Sequence, residues 1–187
     1  MHDGQRNTIG GSGVTARFAA NTIAFHGADG VKIKSFGAEA DESGNRVVFN
    51  SIFSNAGLGI DLEGGTENAT GVTANDPGDA DEGPNDLQNR PVVTSARTVG
   101  GTTTIQAKLN STPSDPFVVE FYSSPSGNEG KRFVASKAVS TGPSGNVAFS
   151  VAPSQAAVAA DQRITATATN AVDANTSEFS APQRVVQ

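Results

Sequence analysis

Arg17–Ile33 reads RFAANTIAFHGADGVKI, and Arg46–Leu62 reads RVVFNSIFSNAGLGIDL. Shifted by 29 residues, the two stretches align without a gap. Arg17 falls on Arg46, Asn21 on Asn50, Ile23 on Ile52 and Gly30 on Gly59, while Val31 and Ile33 fall on Ile60 and Leu62. A partial third copy is expected to begin at Asn7-Thr8-Ile9-Gly10-Gly11. A repeat of about 20–50 residues built on short strands predicts a solenoid, whose units bury their apolar rows only against their neighbours.

The strands inside the repeat carry the period of two. In Gly-Val-Lys-Ile and Gly-Ile-Asp-Leu the apolar residues flank a charge. Alternation therefore predicts Val31, Ile33, Ile60 and Leu62 inside, with Lys32 and Asp61 outside. Stacking at one unit per repeat would set Lys32 over Asp61, a surface ion pair worth about 0–1 kcal/mol. Asn21 and Asn50 would stack at a turn, where Asn tolerates left-handed backbone and bonds its neighbours.

Downstream the composition changes twice. Residues 66–90 lose nearly all apolar side chains and fill with Gly, Asn, Asp, Pro and Thr, the content of a loop or linker. Residues 91–187 alternate again. Candidate strands are Val92–Thr98, Thr103–Asn110, Phe117–Ser123, Phe133–Ser140, Val147–Val151, Arg163–Asn170 and Phe179–Val186, with turn signals between them. Seven short strands at this spacing predict an immunoglobulin-like (Ig-like) antiparallel sandwich, long enough to fold by itself. The best helical candidate is short and Ala-rich, Ser154–Asp161. The expected division is thus 1–65 solenoid, 66–90 acidic loop and 91–187 sandwich.

Composition narrows the function. The 187 residues hold no Cys or Trp, a single Tyr and a net charge of −6. Disulfide and thiolate chemistry are excluded. A nucleic-acid partner is disfavoured, because no basic patch exists to release counterions. No apolar run is long enough to span a membrane. Patterned sequence begins directly after Met1-His2-Asp3, so any export signal is expected further upstream.

The phrases NTI…GADGVKI and NSIFSNAGLGIDL resemble right-handed parallel β-helix repeats of pectate-lyase-like architecture. ITATATNAVDANTSEFSAP resembles the last strands of bacterial Ig-like modules. Together with NDPGDADEGPNDLQNRP between them, the chain resembles the C-terminal segment of large bacterial right-handed β-helix repeat surface proteins. That resemblance implies an all-β fold, a short parallel β-helix followed by an Ig-like sandwich. It also implies an extracellular or cell-surface setting, with a surface glycan or protein as ligand.

The strongest local signal for chemistry is Asn75–Asp86, NDPGDADEGPND. Ca²⁺ takes about six to eight oxygen ligands, and carboxylates spaced by small residues let one loop deliver several. Asp76, Asp79, Asp81, Asn85 and Asp86 are the candidate Ca²⁺ ligands, with Glu82 as a further one. The competing reading is a solvated acidic linker. Asp173–Glu178 reads as a hairpin turn closed by Asx bonding. His26 aligns with Asn55 and reads as a turn residue, and Tyr122 as rim packing. Asp61 and Glu63 are the nearest approach to a carboxylate pair, but no carboxylate ladder repeats along the outer strands.

The expected function is a non-enzymatic, calcium-stabilised structural or adhesion module, with an open solenoid edge available for self-association. The alternative is a fragment of a β-helix polysaccharide lyase or hydrolase carrying an accessory carbohydrate-binding sandwich. Scarce aromatics weigh against the latter, because sugar stacking relies on aromatic faces.

Overall fold

The computed structural model describes residues 5–11, 20–35, 42–152 and 157–187. Among them the regular structure is all β, apart from one 3-10 turn at Pro84–Leu87. Ala157–Ala159, in the short helical candidate, carry no regular structure; residues 153–156 lie outside the described residues. No described helix is long and apolar enough to cross a membrane.

The first part is two windings of chain laid one on the other. β1 (Thr8–Gly10), β2 (Thr22–Ala24) and β3 (Val31–Lys34) form the first, and β4 (Arg46–Val48), β5 (Ser51–Phe53) and β6 (Ile60–Glu63) the second. They pair β1 with β4, β2 with β5 and β3 with β6, all parallel. Ile23 lies over Ile52, Val31 over Ile60 and Ile33 over Leu62, as the repeat predicts.

One part of the alignment is corrected. Arg46 pairs with Thr8, not with Arg17, which lies outside the described residues. Asn7–Gly10 is therefore no third copy; it belongs to the opening of the first winding. The offset is 38 residues at Asn7/Asn45 but 29 at Asn21/Asn50. Nine extra residues thus sit between β1 and β2, where the second winding turns through Phe49 and Asn50 alone. Pairing follows the apolar row and the Asn contacts, and the excess length is left in a connection.

Outside the ladder, Lys32 Nζ reaches Asp61 at 2.7 Å, Glu63 at 2.6 Å and Asp29 at 3.6 Å. The expected Lys32–Asp61 pair is thus part of a four-residue cluster. Asp61 is nevertheless only 6% exposed. Burial pushes its carboxyl upward, and Lys32 opposes that shift.

The second part holds β7 (Val92–Val99), β8 (Thr102–Asn110), β9 (Pro116–Ser124), β10 (Arg132–Ser140), β11 (Asn146–Val151), β12 (Arg163–Asn170) and β13 (Gln183–Arg184). They make two antiparallel sheets, in orders β11-β8-β7 and β10-β9-β12-β13. Alternating residues of both sheets meet in one core, with Ile105 and Leu109 on one side and Phe117, Val119, Phe121 and Ile164 on the other.

The expected last strand, Phe179–Val186, shrinks to two residues. Upstream of it the hydroxyls of Ser177 and Ser180 accept the Ala168 and Ala166 amides at 2.9 and 3.0 Å. Side chains take the place of ladder carbonyls there, so regular strand is lost.

A second core lies between the two parts. Val31, Val47, Ile52, Ile60 and Leu62 pack with Leu87, and with Tyr122 and Phe179 from the second part. Tyr122 is thus not at a rim. It is 2% exposed and makes edge-to-face contacts with Phe133 and Phe179.

Candidate functional site

The loop after β6 is ordered mainly by polar contacts, with Leu87 packed in the second core. Asp79 is its hub. Its Oδ1 accepts the Asn89 amide at 2.7 Å, and its Oδ2 accepts Gln88 Nε2 at 2.5 Å and the Ser111 hydroxyl. Asn89 in turn accepts the Asp76 amide at 3.0 Å and donates to the Asp76 carbonyl at 2.7 Å. Gly78 donates to Asn110 Oδ1 at 2.8 Å, fixing the loop to the end of β8. Gly78 and Asp79 both have positive φ, 80° and 60°. Glycine takes that conformation freely and Asp tolerates it, so the chain bends sharply here.

The bend brings three of the five predicted ligands together. Asp76, Asp79 and Asp81 each place a carboxylate oxygen within 4.8 Å of the others. Oxygens bound to one Ca²⁺ at about 2.3–2.6 Å lie no more than about 5 Å apart, so the spacing suits a single ion. Asp81 Oδ1 is buried and meets no hydrogen-bond donor. Burial pushes the Asp79 carboxyl up to about 6, against its donors Ser111 and Asn89, and its neighbours Asp76 and Asp81 add to the rise. Asp81 is also raised, by burial first and then by Asp76.

Asn85 and Asp86 are elsewhere. Asn85 is fully buried; its Oδ1 accepts the Asn45 amide at 3.0 Å and its Nδ2 donates to the carbonyls of Asn45 and Thr176. Asp86 Oδ2 accepts Asn175 Nδ2 at 2.6 Å. Three successive positive φ angles, at Asn85, Asp86 and Leu87, turn this stretch away from the trio. These two residues join the loop to both parts of the chain. Glu82 is exposed and outside the trio.

The feature the sequence did not reveal is the junction along the free side of β4–β6. Backbone amides there find acceptors in the second part. Val47 donates to the Thr176 hydroxyl at 3.0 Å, and Phe49 to both Glu120 Oε2 and Tyr122 Oη at 3.1 Å. Ile52 donates to the Gly130 carbonyl at 2.9 Å. Asn55 gives its amide and its Nδ2 to Glu129, at 3.3 and 2.7 Å. Glu178 takes the Leu62 amide on one oxygen at 3.3 Å and the Thr73 amide on the other at 3.1 Å.

Burial is the main cause of the shifted titrations in this row. It holds Glu178 up at about 7 despite those two donors, and it raises Glu120 despite the Tyr122 hydroxyl donating at 2.6 Å. The Tyr122 hydroxyl is pushed well above its ordinary range by burial and by the Glu120 charge. The segment read as a plain turn, Asp173–Glu178, is thus partly a sealing edge: Asn175, Thr176 and Glu178 are buried in it. One signal was available. Glu120 interrupts the apolar run of Phe117–Tyr122, and a charge there needs a buried partner.

No family model matches this chain, and a search of curated proteins finds no match either.

Proposed function

We propose that this chain is a non-catalytic, calcium-stabilised structural module of a large bacterial surface or secreted protein. In this reading β1–β6 are the last windings of a right-handed parallel β-helix, and an Ig-like sandwich closes them. The observation that carries the reading is the junction. A winding exposes a row of unpaired amides wherever stacking stops, and such an edge recruits further strands. Thr176, Glu120, Glu129 and Glu178 occupy those amides with side-chain oxygens, which ends the stack without adding a strand.

Calcium belongs to the reading through Asp76, Asp79 and Asp81. Three converging carboxylates repel one another, and the buried Asp81 Oδ1 has no donor. A divalent cation held there would supply the missing countercharge, with carbonyls or water completing its shell. Binding to the native state alone adds about 2.7 kcal/mol at a hundredfold excess over Kd. Melting in excess EDTA and then in excess Ca²⁺ tests it. A rise in midpoint with Ca²⁺ is expected, and an identical midpoint in both would remove calcium from the proposal.

A fragment of a polysaccharide-cleaving enzyme is the second reading. It is favoured by Phe25, which is 79% exposed and stands edge-on to Phe53 at 5.6 Å, a ring free to meet a sugar. It is weakened by Asp61 and Glu63. Both carboxylates are held by Lys32, so neither is placed as an acid beside a scissile bond.

A further inference from the structure

We propose that the end of the β2–β5 ladder, where it meets the turn between β9 and β10, is a binding site for an acidic saccharide, a sugar chain that carries carboxylates. The inference rests neither on calcium nor on β1–β6 being the end of a solenoid.

Phe25 is where the site begins. Its φ is 62°, a left-handed backbone conformation that residues other than Gly, Asn and Asp rarely adopt. Ser54 takes the same turn one winding later, with φ of 58°, and its carbonyl accepts the Phe25 amide at 3.2 Å. The turn suits a small or polar residue. It holds instead a phenyl ring that is 79% exposed. A bulky apolar side chain in a strained turn, facing water, does little for the fold, and such an outlier points to a ligand. The face of its ring is open to the C–H face of a sugar.

Phe53 joins this ring to a charge. It stands edge-on to Phe25, with centroids 5.6 Å apart, and the Lys131 ammonium lies 4.4 Å from its own centroid. Lys131 and its neighbour Arg132 are exposed, and among the described residues they form no ion pair, although the chain carries a net charge of −6. An anion brought by a ligand would give them a partner.

A hollow of about 220 Å³ opens beside Phe53 and Lys131. Ser54, Ser126 and Asn128 line it, and among the described residues their side chains make no hydrogen bond. Two hydroxyls and a carboxamide both donate and accept, as sugar hydroxyls require. Glu129 lines the hollow too, but it is buried and its oxygens hold Asn55 at 3.3 and 2.7 Å. It is not placed as a free acid or base, so the site binds without cleaving. A purely apolar ligand would leave the polar groups unpaired, and a neutral sugar would leave Lys131 without a countercharge. An acidic saccharide answers the ring, the hydroxyls and the cation together.

The test is titration of the 187-residue chain with a hyaluronan tetrasaccharide, whose glucuronates carry the charge, and with the same tetrasaccharide after its carboxyls are reduced to alcohols. Isothermal calorimetry in excess EDTA reads the affinities, so that this outcome and that of the calcium test stay separate. Saturable binding of the acidic form is expected, weakening as salt is raised. The reduced form should bind about tenfold more weakly, and Lys131→Gln should abolish that preference. Phe25→Asn should weaken the acidic form by about tenfold and, because Asn suits the left-handed turn, leave the melting midpoint equal or higher. Absence of saturable binding overturns the proposal, and so does equal affinity for the two forms or full affinity after Phe25→Asn. A midpoint lowered by Phe25→Asn makes the ring a packing group and also overturns it. Shortened saccharides after incubation would make the site catalytic and overturn a role in binding alone.

Discussion

Glu129 holds Asn55 at two points, one carboxylate oxygen on the backbone amide and the other on the side-chain amide, across 74 residues of sequence. Asn55 in turn bonds the first winding through the Ile23 carbonyl and the His26 amide. One carboxylate thus steadies both windings. Glu129→Ala should lower stability by roughly 1–3 kcal/mol, because two donors lose their acceptor in a half-buried site. Urea denaturation followed by far-UV circular dichroism checks this; a midpoint equal to wild type would mean that water replaces Glu129 without loss.

The segment 90–187 has its own core, so it should fold when expressed alone, with a lower melting midpoint than the whole chain. It would also uncover Tyr122 and Phe179, which pack on the windings. Tyr122 is the single tyrosine, so its phenolate absorbance is unambiguous. In the whole chain the hydroxyl should titrate well above the ordinary value, and in the fragment lower, with Glu120 still holding it above that value. Equal titrations would show that the windings do not shield it.

Glu178 gives the junction a pH dependence whose sign follows from its titration. The folded value is raised to about 7 from an ordinary 4.5. The folded chain therefore holds a proton that the unfolded chain has released, and this contribution to stability falls as pH rises from about 4.5 to 7, by about 1.4 kcal/mol per unit of displacement. Asp79, raised to about 6, acts in the same direction. Glu178→Gln should remove its own share of the slope and leave that of Asp79. Stability curves at pH 5 and pH 8 for both proteins decide it, and parallel slopes would refute the assignment.

The apolar row predicts unequal costs. Leu62 is fully buried, and Leu62→Ala should cost about 2–5 kcal/mol. Ile23, in the first winding, packs against the same core but is only half-buried, so Ile23→Ala should cost clearly less. Equal losses would argue that the first winding is covered in solution.

The acidic loop separates two kinds of residue that look alike in sequence. Asp81→Ala should abolish any stabilisation by Ca²⁺. Asp86→Ala should keep that response and lower the midpoint with or without the ion, since its carboxylate binds Asn175. Isothermal calorimetry with Ca²⁺ and melting of both variants distinguish them.

The strand pattern was legible because period-two alternation is local. Six of the seven strands in the second part fall within two residues of their expected bounds, and β3 and β6 pair in the expected register. The Asp76–Asp79–Asp81 convergence was legible because it lies within six residues of chain. Asn85 and Asp86 were misread because left-handed backbone at both redirects them, and spacing carries no sign of φ. The junction was hidden for another reason: its pairs, such as Leu62 with Glu178, are 116 residues apart in sequence. The first winding was misaligned at Arg17 because a fixed period has no place for nine extra residues.

The two windings are also unequal under mechanical load. Among the described residues the first is held chiefly by the second, through three short parallel ladders, the Asn contacts and the Lys32 cluster, with β3 also touching the Pro84–Leu87 turn. A pull on the chain just ahead of β1 would meet those rungs a few at a time and peel the winding at low force. The second is fastened to the sandwich at several separated points, from Val47 to Thr73. Those fastenings would share the tension, so the chain should yield strand by strand down to β4 and hold there.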